Sequence, residues 1–460
     1  MVPLRLRSMP DSGGLSLPAN WTQTFWLTVR IPPTQAPGRY EGHIEVHAAG
    51  RRRASVPLVF TVLPFRLAEP ASMFFGAFLM VSGPPDGPNV HTVAELKDLA
   101  DRGIHGILWF WGHYGLAVRR VDGRLKMDFA MLDLYMDRVK RAGLKGPVVL
   151  ALGNDSRGHL EQAIAEIWDL PVRRRTDDPE RASDRLFAVG TLDCPQLDAL
   201  YVEAIRQLLD HAREKQWPEI VLLPYDEPTE RLKPEYIHRA GLIKKHFPNV
   251  RIYSVVMGQA GALSWLAPLS DVLVTNGSRG AVAAWAREHK KAFWTYGGRC
   301  QAAQPFGQAR LDYGLRPWAT GTQGHWFWAY NWRIGDPLDE FDGTGGDAAW
   351  VVAYPPERPG EACTSSPAFE GMRAAVDDVR YAEALGRLLD RLPPEAAQPF
   401  RQRLQELRGD VLRLRRRVSV ADLKLPKVAF PTGPVTGYDA LRLRIIGMIL
   451  EAQGLLSPGL

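Results

Sequence analysis

The segment of this chain best suited to chemistry is Glu219-Ile220-Val221-Leu222-Leu223-Pro224-Tyr225-Asp226-Glu227-Pro228. An apolar strand runs directly into two acids and a proline. Two carboxylates that share a cleft resist being ionised together, so one keeps a proton while the other stays charged. An acid and a base thus come from one dipeptide. Cleavage of a glycosidic bond needs this division, because the leaving oxygen is protonated while positive charge at the anomeric carbon is stabilised. The longer Glu227 is the expected proton donor and Asp226 its partner. In a regular strand the two would face opposite ways. At a strand end, with Pro228 holding Glu227 in an extended backbone, both are expected to turn toward one cleft. The competing reading is an Asp-Glu-Pro sequence that only caps the next helix.

The elements that must position this pair follow from periodicity. Apolar strand candidates are Met73 to Met80, Gly106 to Trp111, Pro147 to Leu152, Glu219 to Pro224, Val250 to Val256, Asp271 to Thr275, Lys291 to Tyr296 and His325 to Tyr330. Helical patterns such as Val93 to Arg102, Phe129 to Ala142, Gln196 to Lys215, Pro234 to His246 and Ala281 to His289 lie between them. Eight buried strands with helical crossovers predict an α/β fold, a (β/α)8 TIM barrel, whose chemistry sits at the C-terminal rim of the strands. The acid pair ends the fourth strand. Before the barrel, Trp21 to Ile31, Tyr40 to Ala48 and Ala54 to Leu63 predict three strands of a partial β-sandwich. Beyond Pro367 the chain is mostly helical, from Phe369 to Leu392, Pro394 to Arg417 and Tyr438 to Ala452. The expected domains are therefore a short N-terminal β-sheet over 1–68, the catalytic barrel over 69–362 and a helical C-terminal extension over 363–460. Gly153 to Cys194 is a long excursion after the third strand, placed to cover one side of the site.

Composition narrows the function. With 45% hydrophobic and 23% charged residues the chain can bury a large core. Its net charge of +6 sits mostly in short runs such as Arg173-Arg174-Arg175. No aromatic residues that would stack bases are interleaved with them, so no nucleic-acid partner is expected. Cys194, Cys300 and Cys363 are odd in number and lack metal-ligand spacing. His105, His113 and His325 share no carboxylate cluster, so neither metal nor cofactor is expected. No apolar 20-mer suggests a membrane span. Met1 to Asn20 has no uninterrupted apolar core of a signal peptide, which makes the expected location cytoplasmic if the start is genuine.

Fourteen tryptophans is a high count, and many fall at strand ends, where flat apolar rings can lie against the C–H face of a sugar. Candidate substrate contacts are Trp111 at the end of the second barrel strand and His113 just beyond it, Tyr225 beside the acids, Trp294 and Tyr296 on the seventh strand, and Trp326 and Trp328 on the eighth. Alternation along a strand lets some of these face the cleft and others the surrounding helices.

Several of these residues also carry a resemblance. Pro37-Gly38-Arg39-Tyr40-Glu41-Gly42 leading to Val56-Pro57-Leu58, Tyr225-Asp226-Glu227-Pro228, Phe293-Trp294-Thr295-Tyr296, Gly324-His325-Trp326-Phe327-Trp328-Ala329-Tyr330, and Tyr354-Pro355 followed by Ser366-Pro367-Ala368-Phe369-Glu370-Gly371-Met372-Arg373 occur in this order. Over roughly Pro37 to Leu388 the chain resembles the catalytic region of glycoside hydrolase family 123, whose members are retaining N-acetyl-β-galactosaminidases. The resemblance implies an oligosaccharide or glycoconjugate substrate and substrate-assisted catalysis through an oxazoline. Asp226 would hold the N–H of a 2-acetamido group, whose carbonyl oxygen attacks the anomeric carbon. Glu227 would protonate the leaving oxygen and then deprotonate water, and Tyr296 would donate to the acetamido carbonyl. The N-terminal sandwich is shorter here than in the family.

Two other readings remain open on the sequence. A glycosidase acting on a sugar without an acetamido group would use a carboxylate nucleophile, with Asp336, Asp339 and Glu340 in the loop after the eighth strand as candidates; the separation of the carboxyl groups decides this, since roughly 5 Å suits a covalent nucleophile. A non-catalytic carbohydrate-binding barrel would keep the aromatics, but has no use for two like charges side by side.

Overall fold

Short runs that are apolar on both faces suit strands covered by side chains within and helices without, as in Val148–Ala151 and Ile220–Leu223, where every residue is buried. The computed structural model describes residues 14–79, 91–110, 114–154, 158–170, 194–257, 260–277, 279–297, 304–331, 352–358, 360–414 and 438–456. Within them the strands are β1 (Gly38–Ala48), β2 (Arg51–Val62), β3 (Phe74–Phe78), β4 (Ile104–Trp109), β5 (Ala117–Val121), β6 (Arg124–Asp128), β7 (Val148–Ala151), β8 (Gly153–Asn154), β9 (Gly158–His159), β10 (Ile220–Leu223), β11 (Tyr253–Val255), β12 (Val272–Asn276), β13 (Ala292–Gly297) and β14 (Gly324–Phe327). The helices are α1 (Val93–Asp101), α2 (Ala130–Arg141), α3 (Leu160–Ile167), α4 (Pro195–Glu214), α5 (Lys233–His246), α6 (Leu263–Leu266), α7 (Gly280–Glu288), α8 (Phe306–Arg310), α9 (Arg316–Thr320), α10 (Pro367–Leu389), α11 (Pro394–Arg413) and α12 (Asp439–Leu456).

Eight strands pair in the order β10-β7-β4-β3-β14-β13-β12-β11, all parallel. A bridge between Leu222 and Ile252 joins the two ends of this sheet and closes the barrel. All eight strands expected from the sequence are present, and each is followed by helix on the outside. Local signals fix the helix starts. Thr92 and Glu95 form a reciprocal capping box at α1, and prolines occupy the first turns of α4 and α5, where their missing N–H costs nothing.

Aromatic rings fill the barrel interior, and glycines make room for them. Trp326 projects from β14 across to β3 and β4. A Cβ on Gly76 would lie 2.3 Å from its indole, and one on Gly106 3.0 Å from it. Gly324 likewise admits the ring of Phe74, which meets Trp294 edge-on at 4.5 Å. The barrel is therefore a packed core below its C-terminal mouth, not a pore.

The described residues divide into two compact units, one drawn from 71–379 and 408–413, and the other from 14–70, 380–407, 414 and 438–456. The first holds the barrel. The second holds the antiparallel hairpin of β1 and β2, with Tyr40 stacked on Phe60 at 5.6 Å, and helical segments tied by the Arg403–Glu451 ion pair at 2.5 Å. One strand expectation fails here. Trp21 to Ile31 forms no strand, and Trp21, Phe25 and Leu27 are 70%, 61% and 55% exposed. An alternating apolar run becomes a strand only where another strand pairs its backbone and a core covers its face. Among the described residues of this unit, β1 and β2 pair with each other alone.

Candidate active site

β10 ends at Leu223, and Pro224 and Tyr225 carry the chain to Asp226 and Glu227 at the C-terminal mouth of the barrel. Both acids are half-buried. Glu227 is not in the extended backbone that Pro228 favours. Its φ is +40°, in the left-handed region that side chains avoid. Such a residue costs about 1–3 kcal/mol and persists only where its surroundings hold it. The physical reason for the correction is directional: two successive residues of an extended strand point to opposite faces, and a left-handed turn at the second brings it back toward the mouth.

What holds Glu227 comes from across the barrel. The Tyr296 hydroxyl, on β13, donates a hydrogen bond to Glu227 Oε1. The next helical turn, Glu230–Leu232, begins after Thr229, so the Glu227 carboxylate serves the mouth and not a helix cap. Burial first, then the charge of Glu227 and this bond, and then the charge of Asp226, hold the Tyr296 phenol far above its usual range, with the Asn276 side chain pulling the other way. Tyr296 is therefore a neutral donor at any working pH. A phenol has one proton to give, and in this state it goes to Glu227 and not to a substrate carbonyl.

The pair is also anchored from behind. Tyr225, 2% exposed, donates to Glu161 Oε1 of α3 at 2.5 Å. Glu161 Oε2 accepts from Arg239 Nε of α5 at 2.5 Å, and Arg239 also reaches Asp198 of α4, which bonds His238 at 2.9 Å. Burial disfavours the Arg239 charge, but Glu161 and its neighbours more than restore it. Tyr225, expected to touch substrate, is thus committed to a buried ion network that fixes the residue immediately before Asp226.

The aromatic candidates separate by depth. Trp294 and Trp326 are 2% and 0% exposed and belong to the packed interior, beneath Tyr296. Trp328, just past β14, is half-buried at the rim, edge-on to Phe78 at 5.0 Å and Phe110 at 5.7 Å. Trp111, His113, Asp336, Asp339 and Glu340 lie outside the described residues. Asp271 is structural, bonded to Lys244 at 2.5 Å and to the Ile252 N–H at 2.7 Å. Sequence reasoning missed Asn276, an exposed polar residue at the C-terminal end of β12 whose side chain reaches Tyr296. Its signal was present, since a polar residue closing an apolar barrel strand sits where barrel enzymes keep their chemistry. Among the described residues no group of three His, Cys, Asp or Glu could hold a metal ion, and no helix is long and apolar enough to cross a membrane.

Residues 116–385 match the family model "Glycoside hydrolase 123, catalytic domain". The structure is similar to that of a family 123 glycoside hydrolase from Clostridium perfringens, described in connection with glycolipid glycan hydrolysis. The TM-score is 0.60 at 14% identity, over 93% of this chain and 78% of that one. A family 5 mannosidase from Rhizomucor miehei is more distant, with a TM-score of 0.43 at 14% identity over 63% of this chain and 88% of that one. Comparison with curated proteins finds no match.

Proposed function

Because this chain belongs to glycoside hydrolase family 123, we propose that it is a retaining glycosidase that removes terminal N-acetyl-β-hexosaminides, N-acetyl-β-galactosaminides above all, by substrate-assisted catalysis. The observation that carries this reading is the bond from Tyr296 on the seventh barrel strand to Glu227 at the end of the fourth, which holds the acid in the barrel mouth beside Asp226. Glu227 gives its proton to the leaving oxygen as the C1–O bond breaks. The carbonyl oxygen of the sugar's own 2-acetamido group bonds to C1, and Asp226 accepts its N–H and stabilises the positive charge that develops there. Water then attacks C1, Glu227 takes its proton, and the oxazoline reopens with the original anomeric configuration. The enzyme supplies no nucleophile in this route. The seventh strand is consistent with that, since Ala292–Gly297 carries aromatics and glycine but no acid. Trp328 at the rim offers an apolar face for the ring, and oligosaccharides or glycoconjugates are the substrate class.

The test compares aryl β-glycosides that differ only at C2. The wild type is expected to cleave the N-acetyl-β-galactosaminide and to leave the parent galactoside untouched, and the thiazoline analogue of the acetamido sugar should inhibit it. Equal rates on sugars with and without the acetamido group would remove the substrate-assisted mechanism.

A further inference from the structure

Beneath the acid pair lies a second tyrosine with no role in the route above. Tyr253, on β11, is 0% exposed and packs its ring on Trp294 at 6.0 Å and Trp326 at 6.3 Å in the barrel interior. The bridge between Leu222 and Ile252 sets Tyr253 level with Leu223, three residues before Asp226. Among the described residues its hydroxyl has no hydrogen-bond partner. A buried polar hydrogen without an acceptor is costly, and native cores rarely keep one without a use. A phenylalanine would fill the same volume without that cost. The groups that bear on this hydroxyl are informative: after burial itself, Tyr296, Asp226 and Glu227 all push its ionisation well above the usual phenol range. Tyr253 shares the packed interior with Tyr296 and Leu223, directly below the strand end that carries the acids, and its ring neighbours are the indoles of Trp294 and Trp326.

We propose that Tyr253 is a positioning residue of the active site, whose buried hydroxyl closes onto the oxygen cluster of Tyr296, Asp226 and Glu227 when substrate binds and stabilises the charge that cluster carries. Bonds of this kind are often long or unmade in a free enzyme and tighten only in the complex. Because the hydroxyl is inaccessible to solvent, it acts through these residues and does not touch the sugar. The inference rests on the proposed glycosidase function. A donated hydrogen bond favours the ionised form of its acceptor. Without it, the cluster holds its protons to higher pH.

The experiment measures kcat against pH for the wild type, Tyr253→Phe and Glu227→Gln on aryl β-glycosides with and without the 2-acetamido group, together with the Tm of each protein. For Tyr253→Phe the expected result is a fall in kcat of about 10-fold and an acid-side limb moved up by about one pH unit, a tenfold preference being one unit. Its Tm should be unchanged or raised, since an unpaired buried group has been removed. Unchanged kcat and an unmoved limb would show the hydroxyl to be idle. A lowered Tm with an unmoved limb would assign it to core packing, and either result overturns the proposal. A wild type that cleaves none of the substrates would instead overturn the glycosidase reading, whereas a fully active Glu227→Gln would remove Glu227 as the acid and, with it, the cluster that the hydroxyl is proposed to serve.

Discussion

Replacing Tyr296 by phenylalanine removes one hydrogen-bond donor and almost no volume. The donor is 8% exposed, so water cannot fully take its place, and its acceptor, the acid that gives the proton, is a neutral carboxyl group in the working state. A hydrogen bond between neutral groups contributes about 0.5–1.5 kcal/mol, which at about 1.36 kcal/mol per decade is a loss of roughly 2- to 13-fold in kcat/KM. The loss should fall mainly on kcat. With the bond gone, the left-handed backbone at Glu227 loses what opposes its strain, and the carboxylate spends less time aimed at the leaving oxygen. Stability should change little, because Glu227 is only half-buried and its lost partner lies at the mouth. Steady-state kinetics on an aryl N-acetyl-β-galactosaminide, paired with urea denaturation, measures both. A variant within twofold of the wild type in kcat/KM would refute the idea that Tyr296 holds the acid in place.

Gly76→Ala should destabilise the barrel by about 1–3 kcal/mol, because its new Cβ would lie 2.3 Å from the Trp326 indole between two packed strands; the urea midpoint reads this directly. Glu161→Ala should cost about 3–5 kcal/mol by leaving Arg239 buried with its charge under-compensated and the Tyr225 hydroxyl without its acceptor. Since Tyr225 precedes Asp226, activity of the folded fraction should fall as well, and chemical denaturation with kinetics separates the two effects. Buried tyrosines predict alkaline unfolding. Burial raises Tyr236 from 10.0 to about 12 in the folded state, and Tyr114 and Tyr201 further. An acid whose folded value lies above its unfolded one stabilises the fold fully below the unfolded value. Stability should therefore hold up to about pH 10 and fall as pH rises toward 12 and beyond, which denaturant midpoints across that range would check.

The barrel was legible because its strands are buried on both faces and so appear as continuous apolar runs between helical periods. The hairpin of β5 and β6 was not, although Asp122-Gly123, both at positive φ, is a strong turn signal. Its flanks, Ala117–Val121 and Arg124–Asp128, are largely exposed and polar, so they carry little apolar pattern. Asp226, Glu227 and Tyr296 could be picked out by position on the strands. Their interlocking could not, since the Tyr296–Glu227 and Tyr225–Glu161 bonds span 69 and 64 residues and leave no periodic trace. Tyr225 shows the cost of that gap. Adjacency to the acids suggested a substrate contact, whereas its partner on α3 makes it an anchor. Trp294 and Trp326 look like rim aromatics until Gly76, Gly106 and Gly324 are seen to make space for large rings in the barrel interior.

The measurement closest to the central claim is the rate of Glu227→Gln, an isosteric change that keeps an acceptor for Tyr296 but has no proton to give. Hydrolysis of an unactivated N-acetyl-β-galactosaminide should be abolished while the folded state persists. A glutamine variant as fast as the wild type on that substrate would contradict the assignment of Glu227 as the acid.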